Sequence, residues 1–411
     1  MTRLAQSLLF ALTLVSLTFA QDSRPALSGS LDTVKGVRVM RLSGSPHEMG
    51  VTHGYLLASE ILEGFETYLI KNPLVGGTKG YVSRVMPMVT RAMTWSPEES
   101  AELDGILEGM TAKLGDGLFM KSLDRKFDVR DLKAMNSYGD WYMFACASFS
   151  AWGSLTPDGS TITARNFDFP PAPVLFRMQM LVAYTPKEAG RRRWVTVGFP
   201  GLIGAISGMN EDGVGVFIHD VNPKDRKLDA QGVRSRLLAL REALEITTAA
   251  NATTRVHEVL KGLRSWMGNN IHVTSPFNGK DAPAAIIEYD GDETDGEGVT
   301  FRASDPKDSW VACTNHYRLR SPPRKCSRYA TASKRFAELA ESKGTIDSRV
   351  AREIMGSITQ KNPFSTTLHT IIFHPAKRSF ELMLSTPEKI STDTEPIPFT
   401  LDELLLPRKA S

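Results

Sequence analysis

The pattern of apolar and polar positions changes character near residue 145. Before it, helical periods dominate. Residues 96–114 open on Ser-Pro-Glu-Glu-Ser, an N-cap followed by proline at the first helical position, and Leu103, Ile106, Leu107 and Met110 then recur three and four apart, which predicts an amphipathic helix. An apolar run over residues 55–70 predicts a second helix. It is entered through the turn chemistry of Gly44-Ser45-Pro46, after a short alternating strand over 37–42 and a linker over 21–32. Beyond residue 145 short strands are predicted at 144–154, 160–168, 175–184, 193–199, 202–207 and 214–220, punctuated by Pro157-Asp158-Gly159 and Asn210-Glu211-Asp212-Gly213. Helices at 235–246, 253–267, 329–342 and 348–357 are interleaved with strands at 284–289, 299–303, 310–315, 367–374 and 379–385. Closely spaced strands with tight turns imply antiparallel sheets, and their grouping in blocks implies a layered α+β fold.

Composition narrows this picture. The 411 residues are 41% hydrophobic and 23% charged, ample for a sizeable core in one large domain or two smaller ones. The 49 basic and 46 acidic residues are dispersed, and the densest cluster, Arg191-Arg192-Arg193, reads as a solvated turn, so nucleic acid is not an expected partner. Residues 1–20 place Arg3 before an apolar run that ends at small Ala20. This predicts a secretory signal cleaved after Ala20, a secreted or periplasmic protein, and no stable membrane span. The three cysteines are odd in number: either Cys313 pairs with Cys326 and Cys146 is free, or all three are thiols. The histidines do not cluster; His369 and His374 lie in one strand-like stretch but on opposite faces, and no metal or other cofactor is expected.

The chemistry concentrates around Cys146. A strand beginning Ala145-Cys146-Ala147-Ser148-Phe149 turns at Asp158-Gly159 and returns as Thr163-Ala164-Arg165-Asn166-Phe167-Asp168, which brings a thiol, a guanidinium and a carboxylate together. No histidine lies nearby in sequence to act as base. Cleavage between Ala145 and Cys146 would create an α-amine with a reference pKa of roughly 7.7–8.0, able to exchange a proton with the thiol. Arg165 would then favour the thiolate, and Asp168 could orient the α-ammonium group.

Cys146 with Arg165-Asn166-Phe167-Asp168 resembles the N-terminal-nucleophile (Ntn) cysteine hydrolases, which include choloylglycine hydrolases, acid ceramidase and N-acylethanolamine amidase. The similarity is strongest to the penicillin acyltransferase-like branch (acyl-coenzyme A:6-aminopenicillanic acid acyltransferase). It extends through residues 44–54, 102–109, 208–213, Thr314-Asn315-His316 and Ser327-Arg328-Tyr329. The resemblance implies a four-layer αββα sandwich of two packed antiparallel sheets, with fragments 21–145 and 146–411 staying associated after cleavage. It implies that the backbone N–H of Asn210 and the side-chain amide of Asn315 form an oxyanion hole, with Arg328 near the nucleophile. The expected reaction is hydrolysis of a linear, small-molecule amide, or transfer of its acyl group, through a thioester on Cys146. A phospholipase B-like esterase and an uncut, inactive binding protein are the alternatives. Residues 69–91 are expected to supply part of the acyl pocket. His53, His316, Met86, Met88, Phe144 and Trp152 are expected to be mainly packing residues.

Overall fold

The computed structural model describes residues 24–141, 145–222, 230–291, 298–304 and 308–407, so the expected signal segment and Phe144 lie outside the described residues. In chain order the main strands are β1 (Gly29–Val34), β2 (Val37–Gly44), β3 (Ala145–Ala151), β4 (Ile162–Phe169), β5 (Met180–Pro186), β6 (Trp194–Gly198), β7 (Ser207–Asn210) and β8 (Gly215–Val221). They continue as β9 (Gly268–Thr274), β10 (Ala284–Tyr289), β11 (Val299–Ala303), β12 (Trp310–Cys313), β13 (Ser365–His374), β14 (Ser379–Leu384) and β15 (Ile397–Thr400). One sheet has the order β1-β2-β5-β6-β7-β8-β9-β10-β11 and the other β12-β3-β4-β13-β14-β15, with the short Lys361–Asn362 strand added to β13. Within these two sheets the described pairs are antiparallel except β2 with β5, where Val39 lies opposite Leu181 in a parallel register.

Helices cover both outer faces. α1 (Pro46–Gly64), α2 (Pro97–Leu114), α3 (Val129–Asn136), α4 (Arg236–Ile246) and α5 (Ala252–Leu260) belong to the side of the larger sheet. There Leu240 and Leu244 share a core with Val182, Val216 and Ile218. α6 (Ser327–Glu341) and α7 (Ser348–Ser357) cover the smaller sheet, with Phe336 and Ile354 packed on Phe149 and Ala164. Val39, Leu181, Val197 and Phe217 of one sheet meet Ile371, Phe373 and Leu382 of the other to form the central layer. The result is the αββα sandwich expected from the sequence.

Several boundaries differ, each for a physical reason. Residues 29–32, read as the end of a linker, belong to the edge strand β1, paired with β2 across a turn at Lys35-Gly36 where both residues have positive φ. α1 begins at Pro46 rather than residue 55, because Ser45 and Glu48 complete a reciprocal capping box. Its glycines do not break it. An added Cβ at Gly54 would stand 1.9 Å from the Ile106 carbonyl oxygen, and one at Gly109 would stand 2.2 Å from that of Val51, so these glycines are where α1 and α2 cross in contact. Residues 173–178 form a short helix before β5, and residues 202–206 are an irregular loop rather than a strand. The helix predicted at 253–267 stops at Leu260, and β9 follows, hidden from an apolar-pattern reading because it carries buried Asn269, Asn270, His272 and Thr274. The arginine run is structural: Arg191, Arg192 and Arg193 meet Glu245, Asp212 and Glu211 at 3.4, 2.8 and 2.7 Å. Among the described residues no helix is long and apolar enough to cross a membrane.

The helix crossing makes a direct prediction. Gly54→Ala and Gly109→Ala should each lower unfolding free energy by about 1–3 kcal/mol through overpacking. Gly117→Ala, whose new Cβ would meet only Leu114 Cβ at 3.5 Å, should stay within about 0.5 kcal/mol of the parent in urea denaturation.

Candidate active site

The alternation of β3 decides where the thiol goes. Ala147, Phe149 and Ala151 face the apolar layer under α6 and α7, so Cys146, Ser148 and Ser150 point between the two sheets. The hairpin partner β4 places Phe167 opposite Cys146, Arg165 opposite Ser148 and Asp168 opposite Ala145. Arg165 is fully buried: its Nη2 donates to Cys146 Sγ at 3.0 Å and to the Ile218 carbonyl at 2.8 Å, and its Nη1 donates to the Ile206 carbonyl at 2.7 Å. Among the described residues no carboxylate forms an ion pair with it; the rings of Phe167 and Phe217 flank it at 5.5 and 6.0 Å.

The other groups converge on the backbone of Cys146. Its N–H donates to Asn315 Oδ1 at 2.9 Å, and its carbonyl accepts from Arg328 Nη1 at 3.0 Å. Arg328, in the first turn of α6, also reaches Asp168 Oδ2 at 2.9 Å and Asn315 Oδ1 at 2.7 Å. Thr367 donates to the second Asp168 oxygen at 2.6 Å. Asp168 therefore acts on the Cys146 backbone through Arg328, and it is Asn315 that holds the nitrogen. Asn315 Nδ2 donates to the Asp220 carbonyl at 2.7 Å. Asn210 is elsewhere. Its N–H is spent on the Val214 carbonyl and its side chain on Leu244, Thr247, Asp212 and Val214. At roughly 3.3 Å per residue it stands about 13 Å along the chain from the Ile206 carbonyl that touches Arg165. The oxyanion role inferred for Asn210 is thus corrected, since an N–H closing a tight turn has no proton left for a substrate.

Sequence reasoning missed Asp220 and Arg236. Asp220 lies at the end of β8 beside the thiol; its carboxylate accepts from Arg236 Nη1 at 2.9 Å, while the Arg236 backbone N–H and Nε reach Asp140 at 2.9 and 3.2 Å and Nη2 binds the Gly139 carbonyl. This links the segment just before the Ala145–Cys146 bond to the thiol's surroundings. The available signal was a carboxylate at the end of a largely apolar strand.

Burial dominates the electrostatics. It pushes the Cys146 thiol up to about 11, with Arg165 pulling the other way, and it raises the Asp168 carboxyl to about 6 against the pull of Arg328. The imidazoles near the thiol are neutral and committed. His219 is held well below its ordinary value by burial, and burial takes His272 down to about 3. His219 Nδ1 faces the Asn270 carbonyl at 3.3 Å and so carries the proton, leaving Nε2 to accept from Ser148 at 2.7 Å. Ser148 then accepts from His272 Nδ1 at 2.7 Å, and His272 Nε2 accepts from Ser150 at 2.8 Å. Among the described residues no imidazole hydrogen-bonds Cys146. His53 accepts from the Gly201 N–H at 2.9 Å, and burial lowers His316 together with the charges of Arg318, Arg324 and Arg328. All three cysteines are free thiols.

An apolar cavity of about 90 Å³ opens beside Phe167 and Ile206 and is lined also by Tyr68, Tyr138, Phe169 and Met178. Of residues 69–91, Leu69 alone contributes to it; Met86 and Met88 pack against the core, and Trp152 is buried with Val311 and Cys313.

Residues 154–389, more than half the chain, match the family model described as acyl-coenzyme A:6-aminopenicillanic acid acyl-transferase; the matched stretch begins after Cys146 and contains Arg165, Asp168, Asn315 and Arg328. An uncharacterized protein of Archaeoglobus fulgidus is 24% identical over 313 residues, covering 70% of this chain but 51% of its own length, so the chain spans about half of that relative. Among solved structures, a Caenorhabditis elegans N-acylethanolamine-hydrolyzing acid amidase ortholog is 16% identical, with a TM-score of 0.42 over 56% of this chain and 93% of its own. A mutant of the conjugated bile acid hydrolase from Clostridium perfringens is 12% identical, with a TM-score of 0.38 over 65% and 100%.

The raised Asp168 predicts a pH signature. The folded chain keeps a proton that the unfolded chain releases near 3.8, so this group's favourable contribution is complete below about pH 4 and is lost as pH rises through about 6, by about 3 kcal/mol. Urea denaturation from pH 4 to 7 should show Asp168→Asn losing less stability across that window than the parent.

Proposed function

The chain belongs to the acyl-coenzyme A:6-aminopenicillanic acid acyl-transferase family, and on that premise we propose that it cuts itself between Ala145 and Cys146 and then cleaves N-acyl amides through a thioester on Cys146. One observation carries the reading: the buried guanidinium of Arg165, without a carboxylate ion pair among the described residues, donates to Cys146 Sγ at 3.0 Å. A buried cation with no acid partner stabilises whatever negative charge forms next to it, and the sulfur is the atom placed to carry that charge.

In the first step Cys146 Sγ attacks the Ala145 carbonyl carbon, the thiol proton passes to the departing nitrogen, and a thioester joins Ala145 to Sγ. Water then releases the Ala145 carboxylate, leaving a free thiol and an α-amine on Cys146. In the intact chain the thiol is protonated and, among the described residues, no imidazole hydrogen-bonds it; the new amine supplies the missing base. It takes the thiol proton, the thiolate attacks the substrate amide, and the amine half leaves with that proton. Asn315 Oδ1 holds the Cys146 nitrogen in line, and Asp168 holds Arg328 against the Cys146 carbonyl. Water then frees the acyl group; an amine acceptor in its place would give the acyl transfer for which the family is named. Fragments 21–145 and 146–411 stay joined in this proposal, since Glu99 and Asp140 of the first pair with Arg234 and Arg236 of the second. Export after removal of residues 1–20 belongs to the same proposal.

Rapid-quench mass spectrometry with an N-acyl anilide tests the chemistry. An acyl adduct should appear on the peptide that begins at Cys146, and Cys146→Ala should lower kcat/KM by at least about 10³-fold. Faster turnover of the matching ester would favour the esterase instead, and a chain that remains uncut and turns over neither would favour the inactive binding protein.

A further inference from the structure

The cavity of about 90 Å³ is lined by Phe167, the cross-strand partner of Cys146; it is smaller than the roughly 150 Å³ apolar cavity known to take up benzene, and side chains hold one of its walls. One wall is the irregular loop over residues 199–206, which supplies Phe199, Pro200, Leu202 and Ile206. This loop lies outside the sheet ladders, and side chains on neighbouring elements hold its backbone. The Gly201 N–H goes to His53 and the Ile203 carbonyl accepts from Arg241 Nη1 at 3.1 Å. The Ile206 carbonyl is the one held by Arg165, so the wall is fixed to the same guanidinium that touches the thiol.

Asn136 makes the decisive connection. Its Nδ2 donates to the Gly201 carbonyl at 2.8 Å and to the Leu132 carbonyl at 3.0 Å, and its Oδ1 accepts from the Ile203 N–H at 2.9 Å. It is buried, at 2% exposure, and its neighbours Met135 and Tyr138 also line the cavity. One side chain therefore ties the 199–206 loop to a second segment that lines the cavity. Gly201, at φ +81°, lets the loop present its N–H to His53 and its carbonyl to Asn136.

We infer that the acyl site accepts a short apolar acyl group, of about four carbons, and that Asn136 is the positioning residue that imposes this limit by holding the 199–206 wall. The volume sets the size class, and the inference rests on the amidohydrolase reading for the identity of the occupant. Asn136→Ala removes three hydrogen bonds at once and leaves the Gly201 carbonyl and Ile203 N–H without their partners, so the wall shifts and the length limit relaxes. Leu202→Ala enlarges the same wall without touching the clamp.

The test is a series of p-nitroanilides with acetyl, butanoyl, hexanoyl, octanoyl and phenylacetyl groups. It is read beside calorimetric binding of butanoate, octanoate and phenylacetate to the Cys146→Ala protein, which needs no turnover. The parent should prefer butanoyl over octanoyl and phenylacetyl by at least about 10-fold in kcat/KM, since a misfitting methylene costs on that order. Leu202→Ala should move the optimum to hexanoyl. Asn136→Ala should flatten the series to within about 3-fold, through KM more than kcat. Calorimetry should give the same order of affinities even if no anilide is turned over, a result that would count against the amidohydrolase reading and leave the size limit standing. An octanoyl or phenylacetyl preference in the parent, or an unchanged series in both variants, overturns the inference.

Discussion

A single buried guanidinium organises the structure. Arg165 rises from the smaller sheet and binds the carbonyl of Ile218 in the larger one and that of Ile206 in the loop that leads into it, so its charge is satisfied only when the two sheets lie in one relative position. A buried cation costs several kcal/mol of desolvation, and neutral carbonyls recover part of that. The remaining stabilisation is reserved for the sulfur 3.0 Å away. This explains why the layer between the sheets is divided: Phe217, Phe373 and Leu382 fill one part, while Ser148, Ser150, Thr163, His219 and His272 form a hydrogen-bonded polar part next to the thiol.

The segment before residue 145 completes this arrangement. Asp140 and Asp220 share Arg236, Asn136 holds the loop that ends on Arg165, and α1 and α2 cross in contact on the side of the larger sheet. Cavity, thiol surroundings and residues 136–140 are therefore connected by hydrogen bonds and ion pairs. In the proposed reaction, cutting the Ala145–Cys146 bond would place a new α-amine on Cys146 and a new carboxylate on Ala145.

Much of this was legible in the residues. The β3–β4 hairpin followed from the Pro157-Asp158-Gly159 turn, and with it the meeting of Cys146, Arg165 and Asp168; the start of α2 followed from Ser96, Pro97 and Glu99. What stayed hidden obeys other physics. β9 is buried yet polar, because its Asn270 and His272 serve the polar part of the central layer, and an apolar pattern cannot find such a strand. The first turns of α1 carry Gly50 and Gly54, which read as breakers until the partner helix is seen against them. Asn210 attracted a catalytic role from its motif, but the same Asn-Glu-Asp-Gly residues are what a tight turn requires, and the structure uses them for that. Asn315 and Arg328, distant in sequence, were indicated by the family resemblance and by no local pattern, since they reach Cys146 from the loop after β12 and the first turn of α6.

The central claim concerns one peptide bond. Intact mass and N-terminal sequencing of the purified, freshly folded protein test it most directly. The account predicts two associated fragments, the second beginning at Cys146, and a single uncut chain for Cys146→Ala. A parent protein that remains one chain while turning over amides at full rate would contradict it.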